Sequence, residues 1–330
     1  MQRTLEGLNL ENDIVERGYH EIQHGISTDQ IETLVERYTD FTTQQPDPDH
    51  KTLNEMIQPG ATADEVKNSL DNLLYVSDTQ VEWHKYRTNH PGVGKPDGYT
   101  NRSLQVAALK TQRGLLLPHE DPKEFYHFTP KHRVNVAKHH KQFSWGSIPS
   151  EVDKLDTAFI GIHYQVSQII LKVCAHIEEL HPEIRSIVSK EGLLGSPTRL
   201  LFYHPNGGGQ LAAGHYDKSV LTMQIAESHR GLQIATAKDR PLTPVVRGPQ
   251  NGVLFASYGL SGKPLPNDSG GGIPNSSLRP AWHDVMYDAT ANEGRTIPPS
   301  AANVCARWAL IFFVNKHNYV NPEKSVMHTR

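Results

Sequence analysis

The stretch GHYDKSVLTMQIAESHRGLQI, residues 214–234, decides the reading of this chain. His215 and Asp217 stand two apart, and the alternating apolar residues that follow read as strand. In an extended chain, side chains at i and i+2 project to the same face, so an imidazole and a carboxylate converge on one point. A neutral nitrogen and an anionic oxygen so placed suit a metal ion. A second histidine from another strand would complete a two-histidine, one-carboxylate face with open positions, the arrangement of non-haem Fe(II). The candidate is His283 in RPAWHDV, which also lies in a short strand-like run. In a chain with 19 histidines the pair has a bland reading too, a hydrogen-bonded surface pair.

Working outward, residues after Ser196 fall into short runs separated by turn signals: TRLLFYHP, VLTMQIAE, GLQIAT, NGVLFAS, PAWHDVMY and RWALIFFV. Many short strands with little helix between them indicate a sandwich or barrel. Upstream, residues 151–180 keep Leu155, Phe159, Ile162, Val166, Ile170 and Val173 at helical intervals, which predicts one long helix packed on a sheet. Near the start, residues 13–27 alternate apolar and polar and end at a Gly turn, which reads as strand. Ser27-Thr28-Asp29 then caps a helix beginning at Gln30. A further helix is expected over residues 61–76, and mixed loops, short strands and a short helix over 81–149. The chain thus divides into a mostly helical region, 1–195, and a β-rich core, 196–330, expected to form one compact unit.

Composition narrows the function. A chain of 330 residues can bury a sizeable core. A net charge of −3 disfavours a nucleic-acid partner held by charge, and no apolar run is long enough to predict a membrane span. With only Cys174 and Cys305, no CxxC, and no basic and apolar leader in MQRTLEGLNLEND, a cytoplasmic protein is expected. The glycine triplets at 207–209 and 270–272 lack the GK[ST] continuation of a phosphate loop, and the basic run KHRVNVAKHHKQF reads as a solvated face.

Several segments in order resemble the isopenicillin-N-synthase-like branch of the Fe(II)/2-oxoglutarate-dependent oxygenases. RGYHEIQHGIS carries a His24-Gly25-Ile26 motif, followed by GYTNRS, DPKEFYHF, LLFYHP, HYDKSVLTMQI, GLQI, PAWHDV and RWALIFF. The resemblance implies a mainly β fold with supporting helices, a double-stranded β-helix or distorted jelly roll, with Fe(II) held in its mouth. It also implies 2-oxoglutarate as cosubstrate with O2, and a small organic molecule hydroxylated, desaturated or cyclised, with succinate and CO2 as co-products. Arg307 occupies the position that holds the distal carboxylate of the cosubstrate, a task for which a planar guanidinium fork is apt.

Some features depart from the family pattern. Ala309 replaces the usual serine of Arg-x-Ser, the spacing from His283 to Arg307 is long, and LLFYHP leaves Tyr203 or His204 as the cosubstrate contact. Substrate contacts are expected from Tyr99, Arg102 and Phe125. The Gly/Pro/Ser/Asn-rich segment 259–277 is expected to act as part of a lid. The alternatives are an Fe(II) oxidase that does not use 2-oxoglutarate, a zinc hydrolase, and a jelly-roll binding protein without catalysis.

Overall fold

A computed structural model describes residues 9–43, 98–100, 123–130, 150–204, 209–248, 250–260, 277–287 and 305–315. The helix expected over 61–76, the basic run, Arg102 and most of the expected lid lie outside the described residues.

The apolar periodicity upstream of residue 180 folds as expected. Its helix, Ser150–Leu180, is the third among the described residues and is called α3. Leu155, Phe159, Ile162, Val166, Ile170 and Val173 are all essentially inaccessible to solvent. By length and composition Asp153–Leu180 is also apolar enough to cross a membrane, contrary to the expectation from the sequence, but this apolar face is spent on the core. Phe159 stacks on Tyr126 and Phe128 of the sheet, with centroids 5.4 Å from each, and Tyr126 donates its hydroxyl to Asp156 at 2.8 Å. The helix α2, Thr28–Thr43, packs beside it. Its entry is a capping box: Ser27 Oγ accepts from the Gln30 amide while Gln30 Oε1 accepts from the Ser27 amide, each at 3.2 Å.

The N-terminal alternation begins as helix and becomes strand only later. Leu10–Arg17 forms α1, which stops at Gly18 with φ of 84°, and only His20–Gln23 is extended, as β1. Leu10 and Ile14, four apart, satisfy a helical face and are both buried, so the 3.6-residue period prevails over the period of two.

Eleven strands make two antiparallel sheets among the described residues. Beyond β1 they are β2 (Gly98–Thr100), β3 (Lys123–Phe128), β4 (Thr198–Tyr203), β5 (Gln210–His215), β6 (Leu221–Glu227), β7 (Leu232–Ala235), β8 (Thr243–Pro244), β9 (Asn251–Ala256), β10 (Trp282–Met286) and β11 (Arg307–Val314). Two short helices, α4 (Ile184–Ile187) and α5 (Lys190–Leu193), join α3 to β4. The larger sheet runs β1-β9-β6-β11-β4-β3-β2 and the smaller β5-β10-β7-β8. From β5 onward the chain passes back and forth between the sheets, as a jelly roll does. Strands β1, β2 and β3 join the larger sheet, so the first 195 residues contribute three strands to it as well as helices.

One apolar cluster lies between the larger sheet and the helices, and a second, containing Leu201, Tyr203, Ala212, Ile234 and Phe255, lies between the sheets. The second is punctuated by polar side chains, and there the site forms.

Candidate metal and cosubstrate site

His215 closes β5 and His283 lies on the neighbouring β10, in direct cross-strand register. Their rings are 4.3 Å apart between centroids. Asp217 lies two residues beyond the end of β5, so the pair is formed by a strand end and the turn after it rather than by a continuous strand. The turn is tied down: the Tyr258 amide donates to the Asp217 carbonyl at 3.1 Å, and Thr222 Oγ1 donates to Asp217 Oδ2 at 2.7 Å.

Asp217 Oδ1 lies 3.7 Å from His215 Nε2, Asp217 Oδ2 lies 3.7 Å from His283 Nε2, and one donor atom from each residue falls within 4.8 Å of the others. Donors bound to one ion at about 2.0–2.2 Å sit about 3–3.5 Å apart, so small side-chain rotations close the set.

The histidine orientations carry more weight than the distances. His215 Nδ1 donates to the Ala213 carbonyl at 2.8 Å and His283 Nδ1 to the Ala281 carbonyl at 3.2 Å. Both Nδ1 positions are thereby occupied, and both Nε2 lone pairs face the aspartate, which is how metal-ligating imidazoles are oriented. Burial holds the His283 imidazole below its ordinary range, against the pull of Asp217, which favours the neutral form that can ligate. Side-chain exposure grades from 6% at His283 through 13% at Asp217 to 44% at His215, which puts the solvent side of the set at His215. Gly214 is required beside it: a Cβ there would stand 2.5 Å from Trp282 Cζ2.

These residues line a cavity of about 510 Å³ between the sheets, measured out to its open mouth. Arg307 also lines it and is almost completely buried. Its Nε donates to the His229 carbonyl at 2.9 Å, its Nη2 pairs with Glu227 Oε2, and its guanidinium lies 5.1 Å from the centre of the Tyr203 ring. Glu227 Oε1 in turn accepts from Arg247 Nη2 at 3.0 Å. Burial alone would raise the Glu227 carboxyl, but the flanking Arg307 and Arg247 outweigh it and hold it below the ordinary range. Arg307 Nη1 is buried and has no hydrogen-bond partner among the described residues. An orphaned guanidinium nitrogen at a cavity wall fits a carboxylate supplied by a ligand.

Tyr203 lines the cavity, whereas His204, the first residue after the strand, does not line it, and its Nε2 lies 3.4 Å from Glu124 Oε2. Of the expected substrate contacts, Phe125 is buried in the inter-sheet cluster and Tyr99 pairs through its backbone with Tyr126. Burial pushes the Cys174 thiol up to about 12 and raises Cys305 as well, which disfavours the thiolate at both.

Sequence reasoning missed two features. Glu227, the partner of Arg307, is the last residue of an apolar strand run, where a charge buried beside an arginine-bearing strand was the available signal. Arg199 is the other. It faces the cavity from β4 and lies between the rings of Phe125 and Phe313, 4.7 and 4.6 Å from their centres. Burial lowers it to about 10, so it is still charged at neutral pH. The alternation Arg199, Leu201, Tyr203 on one face of the strand was its signal.

The chain has a mainly β, double-stranded β-helix fold with this cavity between its sheets. No protein-family model and no curated protein matches the chain. Among solved structures it is similar to a protein from Shewanella oneidensis designated an oxygenase, at 17% identity and a TM-score of 0.51, over 94% of this chain and 87% of that one. It is also similar to a protein from Caulobacter crescentus designated as of the 2OG-Fe(II) oxygenase family, at 16% identity and a TM-score of 0.51, over 93% of this chain and 80% of that one. The chain therefore shares the fold of these two structures.

Proposed function

We propose that this chain is a non-haem Fe(II), 2-oxoglutarate-dependent oxygenase that hydroxylates a small organic molecule, with succinate and CO2 as co-products. The observation that carries the reading is the convergence of His215, Asp217 and His283, with both Nδ1 positions bound to backbone carbonyls and both Nε2 atoms turned to the carboxylate. His215, Asp217 and His283 would hold the iron, and Arg307 Nη1 would receive the distal carboxylate of the cosubstrate beside Tyr203. When bound, the iron and 2-oxoglutarate supply O2 activation coupled to oxidative decarboxylation. The protein orients the ligands through Thr222 and two backbone carbonyls, and keeps the arginine dry so that its charge is weakly screened.

Anaerobic titration with Fe(II) and then 2-oxoglutarate, following the visible metal-to-ligand band, tests the reading. Asp217→Ala should abolish stoichiometric Fe(II) binding while the chain stays folded. Arg307→Ala should leave iron binding intact and weaken 2-oxoglutarate by well over tenfold, because truncating one side of a buried charged pair costs about 2–5 kcal/mol. Unchanged iron affinity in Asp217→Ala would sink the metal assignment.

A second reading is an Fe(II) oxidase that takes its electrons from its own substrate. It is favoured by Ala309 in the third position of the arginine motif and by the engagement of Arg307 Nη2 with Glu227. Absence of the band and of succinate in iron-loaded protein would select it.

A further inference from the structure

Two arginines face this cavity, and only one of them has a carboxylate. Arg307 is paired with Glu227, while no carboxylate among the described residues lies within ion-pair range of Arg199. Asp217 attracts Arg199 from across the cavity but does not contact it. Arg199 is half-buried, and a cation that lines a cavity without a counter-charge suits a ligand that supplies the missing charge.

The surroundings of Arg199 fix how that ligand must meet it. Its Nε donates to His127 Nε2 on β3, the residue directly opposite in the ladder. The rings of Phe125 on β3 and Phe313 on β11 both pack against the guanidinium. What is left is the outer edge, the two Nη groups, a planar fork with parallel donors. That edge matches a planar two-oxygen acceptor, a carboxylate, better than a point charge or a neutral carbonyl.

Register separates the two arginines. Arg307 pairs with Tyr203 and Ile311 pairs with Arg199, so the arginines sit four residues apart along neighbouring strands, about 13 Å. The carboxylates of a five-carbon diacid are about 5 Å apart, well short of that backbone separation.

We infer that Arg199 is the docking group for a second anion, and that the substrate of this enzyme is a small organic carboxylate whose charged end rests on the Arg199 fork, at the end of the cavity away from Arg307. This rests on the Fe(II)/2-oxoglutarate reading above. It adds the substrate class: an acid, not its amide or ester, and not a neutral ring.

The test uses the full chain loaded anaerobically with Fe(II) and 2-oxoglutarate. Acetate, hexanoate, benzoate and phenylacetate, each beside its primary amide, are titrated by saturation-transfer NMR, while the visible band independently reports cosubstrate. The acids should bind at least tenfold more tightly than the amides in the wild type. Arg199→Gln should erase that difference while changing 2-oxoglutarate affinity by less than twofold. Arg199→Lys, which keeps the charge but not the fork, should retain part of the preference, and it carries the test if the glutamine variant fails to fold. Equal binding of acids and amides, or no binding by any of the acids, overturns the inference. So does a tenfold loss of 2-oxoglutarate in Arg199→Gln, which would make Arg199 the cosubstrate anchor. If the wild type shows no band but still prefers acids through Arg199, the oxygenase reading fails and the carboxylate site stands.

Discussion

Replacing Glu227 by glutamine removes one negative charge that two buried arginines share. Arg247 and Glu227 are each nearly inaccessible, with side chains 1% and 3% exposed, and Arg307 matches Arg247. Breaking a buried ion pair from one side costs about 3–5 kcal/mol, since the orphaned charge remains dry. Here two guanidiniums are orphaned together, so the upper part of that range is expected. At about 2.1 cal/mol/K of unfolding entropy per residue, a chain of 330 residues shifts by about 1.4 °C per kcal/mol, so the midpoint should fall by about 6–7 °C. Thermal melts of the ligand-free protein, followed by circular dichroism, measure it.

The origin of the loss is separable. In Glu227→Gln/Arg247→Met only Arg307 keeps an unpaired charge, so a substantial part of the stability should return, and the cycle with Arg247→Met alone gives the coupling. Added 2-oxoglutarate should raise the midpoint of Glu227→Gln more than that of the wild type, because the ligand carboxylate then meets a fork with both Nη groups free. A midpoint within about 1 °C of wild type, or a double variant no more stable than Glu227→Gln, would refute the charge reasoning.

Two further outcomes follow from the geometry. Gly214→Ala puts a methyl group against the Trp282 ring, one residue from His215; it should destabilise by about 1–3 kcal/mol and weaken Fe(II) binding, with Trp282→Phe restoring both in urea melts and iron titrations. His163 is fully buried with its Nδ1 3.0 Å from Thr198 Oγ1, and burial lowers its pKa to about 4. The folded state thus resists the proton that the unfolded chain accepts near 6.5. The contribution is fully present above 6.5 and is lost as the pH falls towards 4, by about 3 kcal/mol. His163→Gln should flatten that part of the urea midpoint against pH, and an unchanged slope would refute the assignment.

Much of the architecture was legible locally. The long helix 150–180 declares itself by apolar spacing, and β4, β6, β7, β9, β10 and β11 by short apolar runs bounded by turn residues, because burial on one face or between layers writes a period into the chain. The histidine and aspartate two apart, and His283 in its own run, were likewise visible as candidates. The strand β5, QLAAGH, was not: small residues and a glycine give it little strand signal, and its place in the sheet comes from pairing with β10. The helix α1 was hidden for the opposite reason, a short segment in which periods of two and 3.6 both fit.

What tertiary structure alone decided is which distant residues meet. The cross-strand register of His215 with His283, the sharing of Glu227 by Arg247 and Arg307, and the isolation of Arg199 between two phenylalanines all join residues tens of positions apart. Periodicity tells which side of an element is buried, because that depends on neighbours along the chain. Whether a buried charge finds its counter-charge depends on the order and register of strands in the sheet, and that information exists only once the sheet has formed.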